Sequence, residues 1–315
     1  MIVLSVHLIT YNNEKHIEET LQSILKQKLN FKYEIVVGDD CSTDKTFEII
    51  SKYSNEYPDI FHITKNKSQL GILKNYKATL DRCKGEFVFD IAGDDILKTD
   101  NAFQKMVSVL QKDSSLGFVD SGYDRLDDKD NSITPFKNSE IINVPIEAYK
   151  KALLLGKIAP IGHCFNKKLM YKYVDFNTYL NMNLTIEDYP ILIDLVMQTN
   201  FERINESLHV YRVHDKSHSH QKDFEELLFQ KNQMKNLFDY FTNKYNFSKE
   251  LIDEYTLYFN KELLALSGYF QNKSLGKKMY SLIKSKTIID YIHFYSSQYP
   301  WFRKLVSFRK KLFIS

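Results

Sequence analysis

The sequence predicts an α/β protein with a mostly parallel central sheet flanked by helices and a helical C-terminal extension. Three observations carry this expectation. Apolar runs of strand length alternate with helix-period segments from residue 1 to about 120. That alternation gives a parallel sheet with right-handed crossovers. Two of the runs end in aspartate pairs, Asp39–Asp40 and Asp94–Asp95, the abrupt stop expected of a buried strand. From about residue 221 the pattern turns helical, in FEELLFQKNQMKNLFDYF and ELIDEYTLYFNKELLALSGYF.

The elements follow in order. Ile2–Thr10 is an apolar strand, and Ile17, Leu21, Ile24 and Leu25 recur on one helix face. Glu34–Val37 is the second strand. Thr46–Tyr57 is a helix that stops before Pro58, because the residue preceding proline disfavours helical backbone. Ile60–Thr64 reads as a short strand, Ile72–Cys83 as a helix, Phe87–Ala92 as a strand and Ala102–Gln111 as a helix. Residues 121–145 are polar and read as a loop or hairpin. Ile158–Phe165 is a further strand, Glu187–Gln198 a helix with Ile191, Leu192, Leu195 and Val196 on its apolar side, and Leu208–Val213 a strand. We divide the chain into a domain over 1–220 and a helical region over 221–315.

Composition narrows the function classes. The 315 residues hold 43% apolar and 26% charged side chains, which suits a soluble protein with a sizeable core. The net charge of +3 gives no footprint for nucleic acid. Cys41, Cys83 and Cys164 are odd in number and form no CxxC pair, so neither a disulfide framework nor a zinc ribbon is expected. A reducing cytosol is the simplest setting. The opening MIVLSVHLITYNN lacks a basic n-region and reads as a strand, not a signal peptide. No apolar run is long enough to span a bilayer.

The aspartate pairs carry the chemistry. In an open α/β sheet, ligands sit beyond the carboxyl ends of the strands, so two strands would bring two carboxylate pairs to one crevice. Adjacent carboxylates repel unless a cation or donors offset them. A divalent metal holding a phosphorylated ligand does so. The ordinary role of such an Asp is to form a turn or cap a helix, as Asp44 is expected to do. Neither GxGxxG nor GxxxxGK[ST] is present, so a nucleotide would be held by other means. His214, His218 and His220 lack the cysteine or patterned partner of a zinc site. His218 and His220 read as a solvated loop.

Taken together the motifs resemble those of the family 2 glycosyltransferases, which have the GT-A fold. Carrying the resemblance are Thr10-Tyr11-Asn12 after the first strand, GDDCSTDKT, LGILKNYKATLDRCKGEFVFDIAGDD, IEDYPILIDL and YRVHDKSHS. They recur in the family's order across roughly residues 1–220. Cys41 stands where the family commonly has Gly, and Lys74 where Arg is usual. The QxxRW motif of processive members is absent.

The resemblance implies an inverting, metal-dependent transfer from a nucleotide sugar, a UDP-sugar foremost, to a glycan or lipid-linked acceptor. It makes residues 1–120 the nucleotide-sugar half and 121–220 the acceptor half. It implies that Asp40 accepts the uracil N3–H, that Tyr11 stacks on the base, and that Thr10, Asn12 and Lys74 line the nucleotide site. Asp95, in the position of the DXD motif, would bind Mn²⁺ or Mg²⁺. Asp94 would lie nearer the ribose or a metal-bound water, and His214 would touch the metal or the diphosphate. Asp188 would be the general base. Alone, an acidic residue opening a helix is as readily a response to the helix dipole. Gly162 would shape the loop beneath the acceptor.

Two rival readings are a nucleotidyltransferase, which would want a basic, glycine-rich phosphate loop, and an inactive glycan-binding module. The last fifteen residues, WFRKLVSFRKKLFIS, hold five basic side chains and no acid among large apolar ones. That pattern suits an anionic membrane surface. It leads us to expect a cytoplasmic protein bound peripherally to the inner face of the plasma membrane, and the family resemblance implies a part in surface-polysaccharide assembly.

Overall fold

The computed structural model describes residues 1–135, 145–158, 161–214 and 223–304. The chain divides into two compact units, Met1–His220 and Gln221–Ser315. The first half of unit one alternates as expected: β1 (Leu4–Thr10), α1 (Ile17–Leu25), β2 (Tyr33–Asp39), α2 (Thr46–Glu56), β3 (Phe61–Lys65), α3 (Ile72–Leu80) and β4 (Phe87–Ala92). β5 (Ile96–Leu97), α4 (Ala102–Leu110), β6 (Leu116–Asp127) and β7 (Ser132–Thr134) follow. Then come α5 (Ile146–Leu154), β8 (Cys164–Asn166), α6 (Lys167–Tyr173), α7 (Phe176–Asn181), α8 (Asp188–Gln198) and β9 (Asn200–Val213).

The strands form one mixed sheet in the order β3-β2-β1-β4-β8-β6-β9-β5, with β7 beside β6. It is parallel across β3-β2-β1-β4 and between β6 and β9. It turns antiparallel where β8 lies between β4 and β6 and where β5 meets β9. β1 is central to the parallel half, and Leu4, Val6 and Leu8 are fully buried. Ile17, Leu21 and Ile24 of α1 join them in the same core as Ile35, Val37, Phe87, Phe89 and Phe103. Parallel strands finish on one edge of the sheet, so β1, β2 and β4 deliver the loops 11–13, 40–43 and 93–95 to that edge.

The second half departs from the expected boundaries. Residues 121–127, expected in a loop or hairpin, continue strand β6, and its end pairs with β7 as a hairpin. β9 begins eight residues before the expected Leu208. Among the described residues of 158–165, only Cys164–Phe165 is strand. The helices α5, α6 and α7 carry no expectation.

In unit two, α9 (Phe224–Tyr245), α10 (Lys249–Phe270), α11 (Lys273–Leu282) and α12 (Ile288–Gln298) are each capped by a side chain: Asp223, Ser248, Asn272 and Thr287. Each cap satisfies backbone amides that the first helical turn leaves free. Leu263, Leu264, Leu266, Met279 and Ile283 form the core of this unit.

Candidate active site

The loop after β1 and the loop after β2 are tied to each other. The Asp40 amide donates to the Thr10 carbonyl at 2.9 Å, and the Thr43 amide to Asn12 Oδ1 at 2.8 Å. The Asn12 amide donates to Ser42 Oγ at 2.9 Å. Asn12 and Cys41 both take left-handed backbone, at φ 54° and 68°. Asn tolerates that region, whereas Cys41 occupies it without the freedom of glycine. Thr10 is buried, and its hydroxyl lies where a Cβ on Gly93 would come within 2.3 Å. Gly93 therefore lets the loop after β4 close against the end of β1. Tyr11 keeps 41% of its surface exposed at this edge, and Lys74 is exposed on the first turn of α3.

The two aspartates of the first pair do not both face a crevice. Asp39 is fully buried, and its Oδ1 accepts from the Ser42 amide at 2.8 Å. Asp40 is buried and takes three donors: Asn66 Nδ2 at 2.9 Å, the Leu70 amide at 2.8 Å and the Gly71 amide at 2.9 Å. A carboxylate has about four acceptor sites, so Asp40 retains one. Its evident structural work is to dock loop 66–71 onto β2. Gly71, at φ 84°, supplies the turn into α3.

The second pair is fixed by His214, which the sequence singled out, and by Arg212, which it did not. Asp95 Oδ1 accepts from the Arg212 amide at 3.1 Å, and Arg212 Nε donates to the Asp94 carbonyl at 3.0 Å. The buried guanidinium also bonds Asp128 Oδ1 at 2.8 Å and ion-pairs with Glu19. His214 Nε2 lies 2.9 Å from Asp94 Oδ2, and the His16 ring centroid is 5.0 Å from that of His214. His16 Nε2 in turn stands 3.4 Å from Asp128. Arg212 and His214 are two residues apart at the end of β9, so strand alternation puts them on one face. That spacing was a readable signal. Asp128, His16 and Glu19 arrive from separate elements and left none.

The acidic pair is bare: Ala92 and Gly93 precede Asp94, so no Asp-x-Asp stands here. Burial, and then the charge of Asp94, push the Asp95 carboxyl well above the usual carboxylate range. A cation would reverse that penalty. Two carboxylates and one imidazole are a donor set that accepts Mn²⁺ or Mg²⁺. They are not a preformed cage, since no group of three or more candidate ligands converges among the described residues. His214 is engaged with Asp94, and His218 and His220 lie outside the described residues.

Asp188 opens α8, and its Oδ1 accepts from the Tyr189 amide at 2.6 Å. Glu187 and Asp188 are half-buried. Enclosure by protein raises the Asp188 carboxyl, and it pushes Glu187 up to about 8 with help from the charges of Asp188 and Asp90. Asp90, whose charge acts on Glu187, lies on β4. It stands opposite His7 in the β1–β4 register, accepts from the Tyr76 hydroxyl at 2.5 Å, and meets His7 Nδ1 at 3.0 Å. His7 Nε2 faces the Tyr76 carbonyl at 3.0 Å, so both ring nitrogens lie opposite acceptors. Gly162, at φ 68°, packs against the His209 ring, where a Cβ would meet it at 2.7 Å.

Comparison with known proteins follows the same residues. A family model described as Glycosyl transferase family 2 matches residues 5–173, more than half of the chain. The Mycobacterium tuberculosis protein Rv1520 is 32% identical over 109 residues, 35% of this chain and 32% of that protein. The chain thus matches about a third of the length of its mycobacterial relatives. The Staphylococcus aureus poly(ribitol-phosphate) beta-N-acetylglucosaminyltransferase TarS is 38% identical over 99 residues, 31% of this chain and 17% of TarS. The structure of S. aureus TarS 1-349 in complex with UDP-GlcNAc superposes with a TM-score of 0.55 at 17% identity, covering 98% of this chain and 92% of that one. The Pyrobaculum calidifontis mannosyltransferase PcManGT, in complex with GDP-Man and Mn²⁺, gives 0.57 at 13% identity, covering 96% and 83%.

Proposed function

The chain belongs to glycosyl transferase family 2, and from that premise we propose that it transfers a sugar from a UDP-sugar to a glycan or lipid-linked acceptor, with inversion and with a divalent cation. One observation supports this most. The loops bearing Thr10–Asn12, Asp40 and Asp94–Asp95 finish on one edge of the sheet, and Arg212 fixes the acidic pair there. TarS and PcManGT, solved with a uridine and a guanosine diphosphate sugar, lend the nucleotide-sugar class.

In this reading Tyr11 covers the base, and Asp40 offers its remaining acceptor site to the uracil N3–H while holding loop 66–71. Thr10 and Asn12 keep the two loops in register, and Lys74 reaches the diphosphate. Asp95 and Asp94 would hold Mn²⁺ or Mg²⁺, which supplies charge neutralisation to the departing diphosphate. His214 orients Asp94 and is placed to touch the cation or the diphosphate. Asp188 takes the proton of the acceptor hydroxyl as that oxygen attacks the anomeric carbon from the face opposite the leaving group. Enclosure by protein raises its proton affinity, the direction that suits a general base. Asp188 lies beyond the residues that the family model matches, so its role rests on the fold position and that environment. Residues 1–120 are then the donor half and 121–220 the acceptor half. The basic tail, whose residues 305–315 lie outside the described ones, holds the protein at the inner face of the plasma membrane near a lipid-linked acceptor.

The test is a panel of nucleotide sugars with Mn²⁺ or Mg²⁺, scored for released nucleotide. Release of UDP from one donor, lost on chelation and in D95N, is expected. Consumption of a nucleoside triphosphate with pyrophosphate release would instead identify a nucleotidyltransferase.

A further inference from the structure

The net charge of +3 conceals a division along the chain. Residues 273–315 hold ten basic side chains and one acid, a net of +9, which leaves −6 for residues 1–272. The single acid, Asp290, is buried in the capping box of α12 and faces Lys261 at 3.0 Å. It offers little negative charge to solvent. At the turn between α11 and α12 large aliphatic side chains stand in water: Leu282 at 53% exposure, Ile288 at 79% and Ile289 at 62%. Ile283, fully buried in the unit's core, anchors the turn from beneath. Lys284 and Lys286 lie between these aliphatics, and the exposed Lys273, Lys277 and Lys278 precede them on α11. Lys286 Nζ sits 4.6 Å above the Tyr280 ring. Further exposed rings, Tyr291, Tyr295, Tyr299 and Trp301, follow along α12 and just beyond it.

We propose that the α11–α12 turn is a membrane-contact tip, which sets Ile288 and Ile289 among the headgroups of an anionic bilayer while Lys284 and Lys286 meet the phosphates. Burying aliphatic groups repays their exposure. Lysines with long stems reach headgroups while their chains stay in apolar surroundings. Tyrosine and tryptophan favour the same interfacial depth. Charge selects the occupant. A second copy would bring an equally basic face to a self-complementary contact and be repelled. An anionic lipid surface attracts every lysine of the turn. The contact extends the peripheral-membrane reading to residues 273–304, apart from the tail and independent of the donor or the chemistry.

The experiment is flotation of the full chain with phosphatidylcholine vesicles, with and without about one third phosphatidylglycerol, at low and high salt. Wild type is expected to float with the anionic vesicles alone, less at high salt. I288D/I289D should lower its affinity at least tenfold at both salts. K284E/K286E should lower it by at least about 25-fold at low salt, near fivefold for each lysine charge lost and more for the reversal. I288D/I289D should not change the melting temperature, because both side chains are exposed and aspartate is favourable in the first turn of a helix; K284E/K286E gives up the bond from Lys286 Nζ to the Ile283 carbonyl at 2.5 Å, so its binding is compared at a temperature where melting shows it folded. Deletion of 305–315 reads the tail separately. Wild-type binding by both tip variants would overturn the proposal, even if the tail deletion releases the protein. So would a wild-type dimer, seen by light scattering, that I288D/I289D converts to monomer.

Discussion

Glu187 stands beside the proposed base and is the better reporter of that site. Its carboxyl is raised from 4.5 to about 8 in the fold, chiefly by burial. Between those values the folded chain binds a proton that the unfolded chain has released, so stability falls as pH rises through the window. E187Q should flatten that slope. Melting temperatures from pH 5 to 8.5 check this, and an unchanged slope would show that Glu187 is solvated. D188N should reduce turnover by 100-fold or more while UDP affinity stays within about twofold, since the base acts only in the transition state. Calorimetry with UDP separates this from a structural cap, whose loss would weaken binding and stability together. For Asp40 the structure predicts two effects. D40A leaves the Leu70 and Gly71 amides without their acceptor, at a cost of roughly 1–3 kcal/mol, and should weaken UDP binding. A variant melting like wild type would mean that loop 66–71 does not depend on this carboxylate.

At the scale of elements, β9 is the part on which the candidate site most depends. Arg212 joins β9 to Asp94, to Asp128 beyond β6 and to Glu19 on α1 through one guanidinium. Lysine cannot reproduce that fork. R212K should therefore lower turnover about 10- to 100-fold, the usual effect of losing a support behind a metal ligand, and raise the Mn²⁺ concentration required. A Mn²⁺ titration of activity checks it, and wild-type behaviour would show that Asp94 and Asp95 hold their places unaided. The elements also explain what the sequence could disclose. β1 to β4 were legible because apolar and β-branched residues dominate their runs. β6 and the first half of β9 were not, because their buried polar residues bond one another. Asp120 pairs with Arg203 at 2.9 Å in the β6–β9 register, and Ser207 Oγ donates to Asp124 at 2.7 Å. Read one strand at a time, those residues look like a loop. In the site, Asp94, Asp95, Asp188 and His214 were legible as motif residues. Asp90 was hidden inside an apolar strand, its partner His7 inside another.

Across the whole molecule, no helix among the described residues is long and apolar enough to cross a membrane. In unit one the main-chain anchor of the acidic pair has an order in time. The parallel strands β1 to β4 and helices α1 to α3 are complete by residue 92. Asp94 and Asp95 come next, yet the groups that fix them, Arg212 and His214, are more than a hundred residues away. A ribosome therefore releases a finished half-sheet long before the loop of the acidic pair has anything to close on. Contacts of such separation form late. In pulse-labelled hydrogen exchange during refolding, the amides of β1 and β4 should gain protection before that of Arg212. The newborn chain would acquire the strand ends of its parallel half first and its hold on the acidic pair last.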